Sequence, residues 1–308
     1  PEYGSFLQLT VKDSHYDLAL LRWGCQTLLW ICKRLEIEDQ LIDTWKMILK
    51  DLVDFPKDET GFMVGRDVPM THGHRHFSHL LAVFPLHLYI DENAEDYALI
   101  QRSLRHWLSM EGDLRGFTFT GAASIAASIH KGNEALKYLK TSIELFKPNT
   151  MYREAGPVIE SPLAAAEAMN DMLLQSWGDK IRIFPAVPDE WRDISFLNLR
   201  AEGAFLISAV RKDGKTKFIS IESLKGESCI VETDFDGEVR VLSNENISYI
   251  HKDVSTIEIK LSKGDNVILY SGEEIPELKI EPVEAICSLC NFYGGNKPWR
   301  LFGIPIND

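Results

Sequence analysis

The sequence lacks a long uninterrupted apolar run, and no stretch approaches the roughly 20 residues that a membrane-spanning helix needs. It is also poor in positive charge, because 33 Lys and Arg residues stand against 46 Asp and Glu and the formal net charge is −13. Such a charge repels phosphate backbones but does not repel neutral sugars. We therefore expect neither a membrane nor a nucleic acid as a partner.

Cysteines are few, and the five present cannot all pair. Cys25 and Cys32 lie seven residues apart on one helical face, which predicts buried apolar packing. Cys287 and Cys290 form a single C-x-x-C without the second pair or the histidine that a structural zinc site needs. A disulfide and two free thiols both remain open for that pair.

The sequence begins at Pro1-Glu2-Tyr3-Gly4, with no initiator Met and no signal peptide before the first helical pattern. We expect from this a truncated or processed chain, so that a missing N-terminal part of the same protein is one expected partner.

The N-terminal half has apolar residues at helical spacing, with Asp13 or Ser14 as the expected N-cap of the first helix. Trp23, Trp30 and Trp45 fall on helical faces together with leucines, which predicts that they are core residues. A loop rich in Gly, Pro and Asp follows the second helix. We predict about seven helices, the first through residues 18–32 and the others at 39–55, 76–89, 94–110, 120–130, 133–146 and 161–177.

The period of the pattern changes after Trp177. Pro185, Pro188 and Trp191 belong to a connector, and short β-like runs alternate beyond it with turns such as Asp236-Gly237. Six strands are predicted, at 204–210, 217–222, 228–233, 239–242, 256–261 and 266–270. This spacing favours an antiparallel β-sandwich. Because helices and strands do not alternate, the predicted fold class is mainly α and then β, in two domains.

The densest polar cluster contains four histidines within eight residues, His72, His74, His76 and His79, together with Arg75. One hypothesis is a metal site, although no H-E-x-x-H pattern or nearby carboxylate completes a ligand set. A second is a sugar-binding edge, because imidazole and guanidinium groups hydrogen-bond hydroxyls in a fixed geometry. A third is a structural cluster that satisfies buried backbone groups.

Two carboxylates are further candidates. Glu160 lies just before a helical pattern, where it could cap the helix dipole or act as a general base on a water molecule. Glu2 lies at the chain terminus, where a side chain is normally frayed.

Several segments together resemble glycoside hydrolase family 95, the α-L-fucosidase family. The family has an H-R-H-x-S-H-L segment with an aromatic-proline pair after it, and this sequence has H-R-H-F-S-H-L at 74–80 and Phe84-Pro85. The family's M-L-L-Q-S is present at 172–176. Its L-P-A-L-P-x-x-W motif is similar to F-P-A-V-P-D-E-W at 184–191, and L-R-A-E-G-A-F at 199–205 echoes the motif that follows.

The resemblance implies part of an (α/α)6 barrel of the six-hairpin type over residues 1–178 and an antiparallel β-sandwich with a terminal coil over 179–308. By the same analogy, Glu2 is the general acid and Glu160 stands at the position of the general base. The substrate-binding residues implied are His74, Arg75, His76 and His79. The family inverts configuration, which fits two carboxyl groups about 6.5–9.5 Å apart with a water molecule between them.

Two departures from the family pattern bear on these roles. The family's base is an Asp followed by G-N-F-G, whereas this sequence has Glu160-Ser161-Pro162-Leu163. The extra methylene moves the carboxylate by about 1 Å, which affects the water that it can activate. The second departure is length. A complete barrel needs twelve helices, whereas about seven are predicted here, and an incomplete barrel would leave apolar helix faces exposed.

The leading prediction is an inverting glycosidase that releases a terminal sugar such as L-fucose or L-galactose from a complex glycan, without a cofactor or metal ion. An oligosaccharide or polysaccharide is then the expected substrate, and the resemblance implies a periplasmic or extracellular location. A catalytically degenerate carbohydrate-binding protein on the same scaffold is the alternative. A lyase or a phosphorylase on a similar barrel is a third possibility.

Overall fold

The computed structural model describes residues 11–89, 94–110, 112, 114–145, 159–243 and 246–282. The chain divides into two compact units, Pro1–Gly121 and Ala122–Asp308. No helix in the described part of the chain has both the length and the apolar character needed to span a bilayer. The predicted domain boundary after residue 178 stays a prediction.

The first unit is mainly helical. Its long first helix packs on the second helix. A short β-hairpin, with two residues in each strand, packs on the third helix through its second strand. In chain order the elements are α1 (His15–Leu35), α2 (Ile42–Asp51), β1 (Lys57–Asp58), β2 (Gly61–Phe62), a 3₁₀ helix (Ser78–Leu80), α3 (Ala94–Ser109) and α4 (Gly116–Ser128), which continues into the second unit.

The helix predicted at 76–89 is wrong. Only Ser78–Leu80 forms a 3₁₀ helix there, and turns follow. Pro85 prevents an α-helix from continuing through this segment, because proline lacks an N–H and restricts the preceding Phe84 away from the α region. The described residues therefore contain six α-helices where about seven were predicted.

The buried face of α1 is narrower than the sequence indicated. Cys25 and Cys32 are buried as predicted, but Trp23 and Trp30 are 43% and 57% exposed, so their assignment to the core is wrong. Each Trp lies two positions before a buried Cys, which places it on another side of the helix. Ser14 is the N-cap of α1, but its side chain makes no capping hydrogen bond.

The second unit continues with two helices and then changes to strands. Residues 174–177, predicted as the end of a helix, form a strand instead. The elements are α5 (Gly132–Glu144), α6 (Glu160–Leu173), β3 (Leu174–Trp177), β4 (Lys180–Ile183), β5 (Ile194–Ala201), β6 (Phe205–Lys212), β7 (Lys215–Ser223), β8 (Ser228–Glu232), β9 (Arg240–Leu242), β10 (Ser248–His251), β11 (Thr256–Lys260) and β12 (Asn266–Tyr270).

The strands form two five-stranded sheets, ordered β10-β11-β8-β4-β3 and β5-β6-β7-β12-β9. Alternate side chains of both sheets meet in one apolar core, which includes Ile181, Val231 and Ile259 from the first sheet and Ile207 and Ile219 from the second. All pairs are antiparallel except β4 with β8, which are parallel. A helical part followed by a β-domain is confirmed, with one parallel pair as the exception to the antiparallel prediction.

The connector at 184–191 is fixed to α5 by side chains. The Asn133 amide donates to the Asp189 carboxylate at 2.8 Å, and the Asp189 backbone N–H donates back to the Asn133 side chain at 2.9 Å. Lys140 and Glu190 add an exposed ion pair at 2.7 Å. The connector therefore has a defined path from the helices to the sheets.

Candidate functional site

The histidine-rich loop at 72–77 in the first unit leads directly into the 3₁₀ helix. Phe77, at its end, is buried, and its ring lies 5.9 Å from that of Phe117. A Cβ atom on Gly121 would lie 2.2 Å from the Phe77 ring, so the close approach of this ring to α4 requires glycine at that position. The end of the loop is therefore set by direct packing on α4.

Side chains of α3 and α4 bind the backbone of the same loop. The indole N–H of Trp107 donates to the His74 carbonyl at 2.9 Å. The Thr118 hydroxyl donates to the Arg75 carbonyl over a longer distance of 3.4 Å. The loop therefore has backbone hydrogen bonds to side chains of both helices.

The side chains of the loop also contact one another. The backbone N–H of His76 donates to His74 Nδ1 at 3.1 Å, and Arg75 Nε donates to His76 Nε2 at 3.0 Å. Because each of these ring nitrogens accepts a hydrogen bond, the proton of His74 lies on Nε2 and that of His76 on Nδ1. His74, Arg75 and His76 all carry N–H donors, the type of group that suits the hydroxyl oxygens of a sugar.

His79 differs from the other predicted substrate-binding residues because its side chain is enclosed. It is 2% exposed, and its ring lies 5.9 Å from that of Trp107. Neither ring nitrogen has a hydrogen-bond partner among the described residues. Burial, and then repulsion from the charge of His106, lower the pKa of His79 to about 3. Its contact with a substrate stays a prediction.

His15 is a second enclosed histidine, and the sequence analysis did not single it out. Its ring stacks on Phe55 at 4.6 Å and meets Phe62 edge-on at 4.9 Å, and neither ring nitrogen has a partner among the described residues. Burial, and then repulsion from His79, lower the pKa of His15 to about 3. The one sequence signal was its position three residues before Leu18, on the buried face of α1.

The hypothesis of a metal site finds no supporting geometry in the described ranges. No group of three or more His, Cys, Asp or Glu side chains there is arranged to hold a metal ion. Instead, the rings of His74 and His76 meet edge-on with centroids 5.0 Å apart.

Glu160 is the first residue of α6 in the second unit, and its side chain is exposed. A carboxylate at this end of a helix is stabilised as an anion by the helix dipole. An anionic carboxylate is also the form that a general base requires. The position is compatible with both readings of Glu160, and its catalytic role stays a prediction.

Asp171, near the other end of α6, is a functional candidate that the sequence analysis missed. Burial, with a smaller contribution from the negative charge of Glu167, raises the pKa of its carboxyl group to about 7, although a hydrogen bond with Ser124 opposes this shift. The adjacent Gln175 is buried and donates to the carbonyls of Ala127 and Asp171 at 2.8 and 2.9 Å. The sequence signal was its position, because an acidic residue at 171 lies next to Met172 and three residues after Ala168, both on the buried face of α6.

Three other predicted residues lie outside the described ranges. They are Glu2, the proposed acid, and Cys287 and Cys290, the C-x-x-C pair.

A cavity of about 440 Å³ lies in the β-domain, and Glu160 is not among the residues that line it. Charged side chains line it, and several pair with one another. Asp234 binds Arg211 and accepts a hydrogen bond from Thr216, and Lys215 lies 2.7 Å from Asp236. These internal pairs satisfy most of the charge in the cavity.

Comparison with known proteins identifies similarity over both parts of the chain. Residues 3–173 match the family model described as the glycosyl hydrolase family 95 catalytic domain, and residues 175–269 match the C-terminal domain of the same family. The sequence is also 27% identical over 154 residues to the Arabidopsis thaliana protein named alpha-L-fucosidase 2. That alignment covers 46% of this chain but only 18% of the relative's length.

Proposed function

Because this chain belongs to glycoside hydrolase family 95, we propose that it acts as an inverting glycosidase that releases a terminal sugar such as L-fucose or L-galactose from a complex glycan. The observation that carries the proposal is the loop at 74–76. It presents two imidazoles and a guanidinium within the segment that matches the catalytic domain of the family. The name of the Arabidopsis relative, alpha-L-fucosidase 2, favours fucose.

In this proposal two carboxyl groups perform the chemistry. Glu2 protonates the leaving oxygen, and Glu160 removes a proton from the water that attacks the anomeric carbon. An inverting reaction needs the two carboxyl groups about 6.5–9.5 Å apart, so that the water fits between them and the sugar. His74, Arg75 and His76 bind the hydroxyls of the terminal sugar, and His79 is the fourth substrate-binding residue of the proposal.

The base is tested by replacing Glu160 with Gln in the full-length protein. We expect turnover of aryl α-L-fucosides or α-L-galactosides to fall by about 10²- to 10⁴-fold, because acid–base catalysis contributes that much. Glu144→Gln is the matched control, since Glu144 is an exposed carboxylate at the end of α5 in the same unit, and it should retain wild-type turnover. Equal turnover in both variants would remove Glu160 from the mechanism.

A second candidate function is carbohydrate binding without catalysis. The replacement of the family's Asp by Glu160, with Ser161-Pro162-Leu163 following, favours it. Calorimetry with L-fucose and with fucosylated oligosaccharides distinguishes the two functions. Binding without release of reducing sugar over days would support the binding protein, whereas measurable release supports the glycosidase.

We further propose that the helices belong to an (α/α)6 barrel, which consists of six helical hairpins. The support is an apolar stripe on α1, formed by Tyr16, Leu20, Trp23 and Trp30, all of which are exposed. These residues are spaced at intervals of three, four and seven, which places them on one side of the helix. In a complete barrel, neighbouring helices would cover such a stripe.

A further inference from the structure

We propose that Trp107 is a positioning residue for the substrate loop, and that its indole N–H holds the backbone from which His74, Arg75 and His76 extend. The inference rests on the proposed function, because that function assigns the loop to the sugar. Trp107 itself touches no substrate in this account. It acts through the loop.

Trp107 lies in the middle of the contacts around the loop. It is fully buried on α3, and its indole N–H donates to the His74 carbonyl at 2.9 Å. Its ring centroid lies 5.8 Å from that of Phe77 and 5.9 Å from that of His79. One side chain therefore binds the backbone at the start of the 74–76 segment and packs on the residues that follow it.

The preceding residue of α3 makes a parallel contact. His106 Nε2 lies 2.9 Å from the Met70 carbonyl, and because a carbonyl can only accept, His106 must carry its proton on Nε2. Successive residues of one helix thus bind two nearby backbone carbonyls, that of Met70 just before the loop and that of His74 within it. The described backbone around these residues forms an isolated bridge between Gly73 and Gly112 but no strand or helix. The two side chains therefore supply hydrogen bonds that a regular sheet or helix would supply elsewhere.

The bond to the His74 carbonyl matters because the adjacent side-chain contacts depend on the same backbone. His74 accepts from the His76 backbone N–H, and His76 in turn accepts from Arg75. A rotation of the peptide unit after His74 would therefore move all three side chains together. Displacements of about 1 Å in substrate-positioning groups can reduce rates by about 10²-fold.

The test compares Trp107→Phe with Trp45→Phe in the full-length protein. Phenylalanine keeps an aromatic ring against Phe77 and His79 but removes the N–H donor, whereas Trp45 is a half-buried residue of α2 in the same unit. We expect Trp107→Phe to lower kcat/KM on the aryl glycoside by about 10- to 100-fold, mainly through KM. It should also accelerate hydrogen–deuterium exchange in the peptide covering 74–77. Trp45→Phe should change neither value by more than about 2-fold.

Two outcomes would overturn the inference. One is wild-type KM and wild-type exchange at 74–77 in Trp107→Phe, and the other is a fall in thermal stability with unchanged kinetics in the folded protein. If the wild-type protein neither turns over nor binds a sugar, the proposed function fails, and the exchange comparison still decides whether Trp107 orders the loop.

A second pair of variants applies if Trp107→Phe does not fold. His106→Gln keeps an amide donor that can reach the Met70 carbonyl, and His106→Leu removes it. Loop exchange and KM close to wild type in the Gln variant, with faster exchange and a raised KM in the Leu variant, would support positioning by side chains of α3. Identical behaviour of the two variants would contradict it.

Discussion

His15 and His79 keep their rings neutral at ordinary pH because both are enclosed, one by phenylalanines and one beside Trp107. Their pKa values of about 3 lie below the value of 6.5 expected in the unfolded chain. Between these values the unfolded state binds more protons than the folded state. Each histidine therefore makes its full contribution to the free energy of unfolding above pH 6.5, and this contribution is lost as the pH falls toward 3.

His15→Phe tests this dependence. The replacement keeps an aromatic ring against Phe55 and Phe62 but cannot bind a proton. Between pH 6 and pH 4, we expect the free energy of unfolding of the variant to decline less steeply than that of the wild type, by up to about 1.4 kcal/mol per pH unit. Urea unfolding at a series of pH values measures it. His251→Phe, at an exposed position of β10, should keep the wild-type slope, and an unchanged slope in His15→Phe would show that His15 titrates normally.

At this scale the sequence predicted which residues form the loop but not how they are held. The spacing of His74, Arg75 and His76 marked them as a polar cluster. The enclosure of His79 and the bond from Trp107 depend on residues about 30 positions away in the chain, and no local pattern encodes such contacts. Asp171 was missed for the same reason, since its partner Ser124 lies on another helix.

Among the elements, the connector at 184–191 is held by polar contacts that differ in geometry. Asn133 and Asp189 form two reciprocal hydrogen bonds, one of them to a backbone N–H, whereas Lys140 and Glu190 form one exposed ion pair. The short side chain of Asn133 loses less conformational entropy in forming its two hydrogen bonds than the long side chain of Lys140 loses in forming one. The connector should therefore depend more on Asn133 than on Lys140.

Asn133→Ala and Lys140→Ala measure this difference. We expect Asn133→Ala to lower the free energy of unfolding by about 1–2 kcal/mol, because two hydrogen bonds are lost. Lys140→Ala should lower it by less than about 0.5 kcal/mol, as is usual for an exposed ion pair. Urea unfolding of both variants provides the comparison, and the reverse order of the two effects would contradict the interpretation.

The elements that the sequence predicted well are those whose pattern is local. The strand at 266–270 was predicted with its observed bounds, and β8 and β11 extend within one residue of the prediction. Strands β3, β4, β5 and β10 were missed. β3 directly follows a helix without a break in the pattern, and β10 has no buried side chain, so neither carries the alternation on which strand prediction depends.

For the whole molecule, the order of a helical part and then a β-domain could be predicted, because the period of the apolar pattern changes once along the chain. The pairing of β4 with β8 could not, since these strands are about 45 residues apart and parallel pairing leaves no turn signal. The exposure of the apolar stripe on α1 could not be predicted from the sequence either. Periodicity identifies an apolar face but does not say what covers it.

Trp30→Lys tests whether further helices cover that stripe. If they do, the full-length protein should lose about 2 kcal/mol or more of unfolding free energy, because an unpaired charge becomes buried. Ile250→Lys on β10 is the matched control. Ile250 is 55% exposed and Trp30 57%, and the control should change stability by no more than about 0.5 kcal/mol. If both substitutions leave the unfolding free energy unchanged, the stripe faces solvent in the full-length protein. If the effect of Trp30→Lys varies with protein concentration, a second copy of the chain covers the stripe.

The raised pKa of Asp171 gives the second unit the opposite response to acid from that of the first. With a pKa of about 7 in the folded state and 3.8 in the unfolded state, this carboxyl group favours folding increasingly as protons are added across that interval. Over the same pH interval, the enclosed imidazoles of His15 and His79 in the first unit make folding less favourable as protons are added. In a mildly acidic compartment, proton binding would thus stabilise the folded state around Asp171 and destabilise it around His15 and His79.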